Sequence, residues 1–226
     1  MKNNDKKNND KKEKPAITLP DAITSRGGFK RKFSLWELYR SLVFVPRAVI
    51  VLGKNRKRKL LDGHFVERLQ LAVTEVNGCP ACSYQHTKMA LRQNMSNEEI
   101  SSFLSGADDF IRSEEAKAIM FAQHFADSRG FPEKYAYDAI VTEYGVEEAH
   151  VILAACQVMI AGNMYGIPIS ALQSRLKGKP YKDSSLFYEL GMAIVGFLSL
   201  PFAIIHALLR GLIGLSNERF AKSTDA

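Results

Sequence analysis

A chain of 226 residues with 46% hydrophobic content is long enough for one well-packed domain, with some length left for appendages. The formal net charge of +7 would point to nucleic acid if it lay on a folded face. Much of it instead sits in two runs, "MKNNDKKNNDKKEK" at the start and "KNRKRK" at 54–59, with no interleaved aromatic residues and no nucleic-acid motif, so no nucleic-acid partner is expected.

Taken in chain order, residues 1–32 read as a disordered basic tail and linker, because KNNDK occurs twice there and little apolar surface is available to bury. Segment 34–53, "SLWELYRSLVFVPRAVIVLG", reads as a helix with Ser34 as N-cap, Pro46 as a kink and Gly53 as the stop, followed by a solvated basic connection. "LDGHFVERLQLAVTEVNG" puts Phe65, Leu69, Ala72 and Val73 on one face and ends at Asn77-Gly78, a good C-cap pair. A new helix starts at the cysteines and runs to about Arg92. Ser96 and Glu99 form a capping box ahead of the next one. "SEEAKAIMFAQHFADSRG" follows, with Ser113 as cap and Gly130 as stop, then "PEKYAYDAIVTEYG". "VEEAHVILAACQVMIAGNMYG" is nearly apolar along its second half and should be the most buried. Short connections between such helices imply an antiparallel, all-α bundle over residues 33–176.

Beyond a polar linker at 177–185 the composition changes. Residues 186–215 are apolar, and the stretch 190–209 has no formally charged side chain apart from a possible His206 cation. That length crosses a bilayer once as a helix. A membrane anchor is the first reading, with an interfacial helix and an oligomer or core helix as the others. Arg175, Lys177, Lys179 and Lys182 on one side, against Arg210, Arg219 and Lys222 on the other, favour a cytoplasmic main domain at a membrane. Residues 216–226 form a polar tail. No apolar h-region follows the charged start at signal-peptide distance, and three cysteines, two of them close together, do not make a secreted disulfide framework.

The stretch "ERLQLAVTEVNGCPACSYQH" at 67–86 carries the chemistry. Its CxxC is a redox pair, half of a metal site, or two ordinary cysteines. Gly78 ends one helix and Pro80 suits the first turn of the next, which sets Cys79 near the N-cap and Cys82 in the first turn. Free N–H groups and the positive end of the helix dipole favour thiolate there. His86 lies four residues after Cys82, on the same helix face and within reach of its proton. Glu67, brought back by a tight turn at Gly78, can orient His86 or act as the base itself. Zinc remains an open alternative, with Cys79, Cys82 and His86 as three ligands and His64 or Glu67 as a fourth. Cys156 reads as a small core residue, and Asn163 and Tyr165 are candidates to line the cavity.

Glu67, eleven residues, Cys79-x-x-Cys82, three residues and His86 together resemble the signature of the alkylhydroperoxidase D-like branch of the carboxymuconolactone decarboxylase family. "RLQLAVTEVNGCPAC", "MSNEEI" and "EEAHVILAACQVMIAGNMYGIPIS" extend the likeness, which spans roughly 33–176. The resemblance implies an all-helical domain in homo-oligomers that acts as a thiol peroxidase without a cofactor. Cys82 would attack a hydroperoxide, Cys79 would resolve the sulfenic acid as a disulfide, and Glu67 and His86 would relay protons. A lipoyl or thioredoxin-like dithiol would be the reductant. Ala81 stands where the best-studied members have a second histidine, which shortens the relay. Decarboxylation is the lesser implication, because decarboxylases of the family generally lack the cysteine pair. A non-catalytic membrane-associated scaffold on the same fold is the alternative.

Overall fold

A computed structural model describes residues 28–221; the basic run at the start of the chain lies outside the described residues. Eight helices, and no strand, occur among them: α1 (Leu35–Leu42), α2 (Val45–Arg58), α3 (Gly63–Asn77), α4 (Pro80–Arg92), α5 (Asn97–Ser105), α6 (Ala116–Asp127), α7 (Lys134–Leu176) and α8 (Leu186–Leu212). The fold is all-α.

Helix α3 is the hub. It packs against α4, α5, α6 and α7, and Leu69, Leu71, Ala72 and Val73 are buried on successive positions around its circumference. A helix surrounded on all sides needs apolar residues all round, which is why its stripe is wider than that of a surface helix. Among its buried polar residues the largest is Arg68, fully buried on α3. Its Nε and Nη2 each donate at 2.7 Å to the Glu115 carboxylate ahead of α6, and Nη1 donates at 2.8 Å to Glu99 of α5. Three helices are thereby held in one register by one guanidinium.

Helix starts follow their caps where a side-chain acceptor is free. Ser34 and Glu37 form a reciprocal capping box, and Asp62 and Ser96 accept from Phe65 N–H and Glu99 N–H. Glu99 does not complete its expected box, because its carboxylate is drawn to Arg68.

Four local expectations are corrected. Segment 34–53 forms two helices rather than one kinked helix, and Pro46 sits in the first turn of α2, where its missing N–H costs nothing. Gly53 does not stop α2, which continues through the basic run to Arg58 and ends at Lys59 in the left-handed region. The cations there occupy the last turn, the negative end of the helix dipole, and Arg58 pairs with Glu147. Ser113 does not cap α6, whose first turn is preceded by Glu115 without a side-chain cap. Helix α7 joins what read as two helices, breaking direction only at Gly145, where φ is 80°.

Helix α8 lies along the domain, against α1 and α7. Met192, Gly196, Ala203 and Ala207 face inward. A Cβ on Gly196 would come within 2.7 Å of Leu38 and 2.9 Å of the Tyr165 ring, so the glycine allows the close approach. At its start Glu189 is buried and receives Arg175 Nε at 2.7 Å and Nη2 at 2.9 Å. By length and composition α7 and α8 could each cross a membrane, but α7 is mostly inside the domain whereas α8 is mostly not.

Replacing Arg68 with Met removes both short hydrogen bonds from the buried Glu115 carboxylate and leaves it only Arg112, at 4.0 Å. The variant should lose about 3–5 kcal/mol of stability, read as a lower denaturant midpoint by helical circular dichroism.

Candidate functional site

The site is built where α3 hands over to α4. Gly78 has φ of 66°, and its N–H donates to Thr74 O at 2.8 Å, closing α3. A Cβ at this position would lie 2.7 Å from the Lys30 backbone nitrogen, so a side chain is excluded by space as well as by conformation. One residue later Cys79 is the N-cap of α4, with Pro80 at the first helical position.

Cys79 and Cys82 form a disulfide, with Cα atoms 5.3 Å apart. The Cys82 N–H points at Cys79 Sγ at 3.3 Å. Both residues are buried, Cys79 completely and Cys82 to 8% exposure, which makes Cys82 the more exposed residue of the two. The pair is seated on two glycines of α7. Cys82 Sγ lies 3.6 Å from Gly162 O, and a Cβ on Gly166 would fall 2.8 Å from Cys82 Sγ and 2.9 Å from Cys79 Sγ.

Glu67, buried on α3, meets His86 of α4: Nδ1 and Oε1 are 2.7 Å apart, with side-chain exposures of 3% and 12%. A carboxylate accepting from Nδ1–H fixes the tautomer and leaves Nε2 as the working nitrogen. No hydrogen bond joins His86 to either sulfur among the described residues. The disulfide turns toward α7 and the imidazole toward α3, so proton transfer between them needs a water or a bound molecule. An open cavity of about 840 Å³ adjoins the pair, lined by Glu67, His86 and Gly162 among Val66, Met89 and Met159, with Arg56 and Lys59 also on its wall. Gly162 is the point shared by cavity and disulfide.

Beneath the turn, Asn77 Nδ2 donates to Asn163 Oδ1 at 3.0 Å, and Asn163 Nδ2 donates to Thr74 Oγ1 at 3.3 Å, all three residues being fully buried. Asn163 thus fastens the end of α3 to α7 and does not line the cavity. Neither does Tyr165, whose hydroxyl donates to Ala193 O of α8 at 3.1 Å. The residues of "GNMYG" that serve the site are its two glycines. Paired glycines four apart in a buried apolar helix were the legible signal of a close approach.

The remaining candidates fall elsewhere. Cys156 is a free, buried thiol, and burial pushes its pKa up. His124 Nε2 accepts from Glu133 N–H, His150 pairs with Glu218, and His206 meets Tyr39, all away from the disulfide. No group of three or more His, Cys, Asp or Glu side chains is arranged to hold a metal ion among the described residues. His64 is half-buried at the start of α3.

Residues 47–123 match the model of the Carboxymuconolactone decarboxylase family. This segment is similar to that family. It runs from α2 into α6 and contains Glu67, Cys79, Cys82 and His86. The family match is narrower than the span of resemblance read from the sequence, and α8 and the glycines of α7 lie beyond it. No curated protein and no solved structure matches the chain.

Gly166→Ala should cost about 1–3 kcal/mol through overpacking against the disulfide, seen as a lower melting temperature. Gly162→Ala meets no neighbour nearer than 3.8 Å, and the gain in helix propensity should leave it neutral or more stable by up to about 1 kcal/mol. In the reduced native protein iodoacetamide should spare Cys156, and mass spectrometry should find it alkylated only after denaturation.

Proposed function

We propose that the chain is a thiol-disulfide oxidoreductase that reduces hydroperoxides. The observation that carries this reading is the Cys79–Cys82 pair at the start of α4, next to a Glu67–His86 pair that opens on a cavity. Cysteines at a helix N-terminus, with a buried carboxylate–imidazole pair one turn away, supply both a nucleophile and a proton path.

In the first step the Cys82 thiolate attacks the distal oxygen of a hydroperoxide. An S–O bond forms, the O–O bond breaks, and the departing alkoxide takes a proton delivered from His86 through water. Cys82 becomes a sulfenic acid and the substrate an alcohol. In the second step the Cys79 thiol gives up its proton and attacks Cys82 Sγ, releasing the oxygen as water and forming the disulfide. A dithiol reductant, lipoyl or thioredoxin-like by the family resemblance, then restores both thiols and is itself oxidised to a disulfide. Glu67 holds His86 by Nδ1 and balances its charge while Nε2 carries the proton. The same resemblance supports a homo-oligomer. The exposed apolar face of α8 supports membrane association of the chain.

Cys82→Ser should abolish peroxide turnover, whereas Cys79→Ser should stop after one equivalent with a sulfenate on Cys82, trapped by dimedone and identified by mass spectrometry. Glu67→Gln should slow the first step on the order of 10²–10⁴-fold without preventing disulfide formation by a thiol oxidant. Full turnover in both cysteine variants would overturn the assignment.

A further inference from the structure

The side of α8 turned away from the domain has no partner in the chain. Phe187, Ile194, Phe197, Phe202, Leu208 and Leu212 are each more than half exposed, and no formally charged residue separates Glu189 from Arg210. Bare apolar surface on that scale marks a binding face.

Both ends of this helix are fastened to the same domain. At its start the Arg175–Glu189 ion pair and the Tyr165 bond to Ala193 O hold it on α7. After its end, Arg47 of α2 donates to Leu215 O. Asn217 Nδ2 donates to Gln157 Oε1 at 2.9 Å and to Phe44 O at 3.2 Å. Glu218 pairs with His150 at 2.9 Å, and Ala221 N–H donates to Pro132 O at 3.0 Å. A helix that crosses a bilayer once delivers the following chain to the far side. Here that chain returns to the domain it left.

Four arginines collect at this returning end. Arg40 and Arg219 flank the Phe131 ring at 4.0 and 4.7 Å, Arg210 lies 5.2 Å from the Phe44 ring, and Arg47 reaches Leu215. None of the four forms an ion pair among the described residues. The nearby acids are already engaged, Glu37 by Arg129 and Glu218 by His150. Burial, then the charges of Arg219 and Arg47, hold the Arg210 pKa below its ordinary value. Uncompensated guanidinium groups beside an apolar face match phosphate headgroups beside acyl chains.

A second copy fits this surface less well. Close helix pairing uses small residues, and Gly196, Ala203 and Ala207 of α8 already face its own domain, while its outer side is dominated by large residues such as Phe187, Phe197, Phe202 and Leu208. The one acid of α8, Glu189, is buried against Arg175 and offers nothing to a neighbour's arginines.

We propose that α8 is a single-leaflet membrane-binding face. Its apolar side enters the acyl region of an anionic bilayer without crossing it, and Arg40, Arg47, Arg210 and Arg219 receive lipid phosphates. The inference rests on the membrane association proposed above and adds its geometry and headgroup chemistry.

The test has two parts, both on the full chain. In the first, the protein is floated with vesicles of phosphatidylcholine alone or mixed with phosphatidylglycerol. It should float with the mixed vesicles, and the joint variant Phe197→Asp, Phe202→Asp should bind at least about tenfold more weakly. Arg40→Gln with Arg219→Gln should weaken binding on the order of tenfold, with circular dichroism confirming that each variant is folded. Undiminished flotation of the phenylalanine variant would assign binding to the lysine-rich start of the chain and overturn the proposal. Absence of flotation, with a dimer dispersed by the same variant, would make the face a contact between copies and overturn membrane association as well. In the second part, tags at the two termini are exposed to protease in membrane vesicles sealed with the cytoplasmic face outward, prepared from expressing cells. Both should be cut. Protection of the C-terminal tag alone would show a span and overturn the single-leaflet geometry while leaving membrane association in place.

Discussion

The turn at Gly78 is the constraint on which the site depends. A left-handed residue held against the Lys30 backbone admits no side chain, and it fixes the angle at which α4 leaves α3. From that angle two contacts follow, each to a different neighbour of α4. One brings His86 back to Glu67, nineteen positions earlier in the chain. The other presses the cysteine pair onto Gly162 and Gly166. A change of hinge would separate both at once, because α4 is a single rigid turn-and-helix with the two contacts built into it.

Buried polar groups reinforce this hinge from two directions. The Thr74–Asn163–Asn77 network ties the last turn of α3 to α7 at the depth of the disulfide. Arg68, in the first half of α3, is satisfied by two carboxylates from later in the chain. Bonds of this kind add modest net stability but penalise every arrangement that leaves a member unpaired. They make α3 a fixed platform, and a carboxylate on a fixed platform can hold an imidazole in one tautomer. The cavity beside it then has Glu67 and His86 at one corner of a wall that mixes apolar residues with Arg56, Lys59 and Asp62.

Helix α8 adds a different element to the same body. Gly196, Ala203 and Ala207 are spent on contact with the domain, and most of its large residues point outward. The Cys79–Cys82 pair and this face share α7, which carries Gly162 and Gly166 at the disulfide and Tyr165 against Gly196 of α8. The arrangement fixes the disulfide relative to the proposed membrane surface through one helix.

Local chemistry in the sequence determined the all-helical class, the Asn77-Gly78 ending of α3 and the position of Cys79 as N-cap. These follow from short-range rules of caps, proline at a first turn and apolar period, which act within a few residues. Tertiary packing decided the rest. It carried α2 past Gly53, because a helix anchored by its apolar face outlasts one weak residue, and it drew Glu99 from its capping box to a buried arginine. It turned Cys82 toward α7 and His86 toward α3, although their spacing placed them on one helix face, because each found its partner on a different neighbour. It laid α8 along the domain, because Gly196 and the Arg175–Glu189 pair act between segments distant in sequence, and hydrophobicity and length alone do not encode which surface a helix will meet.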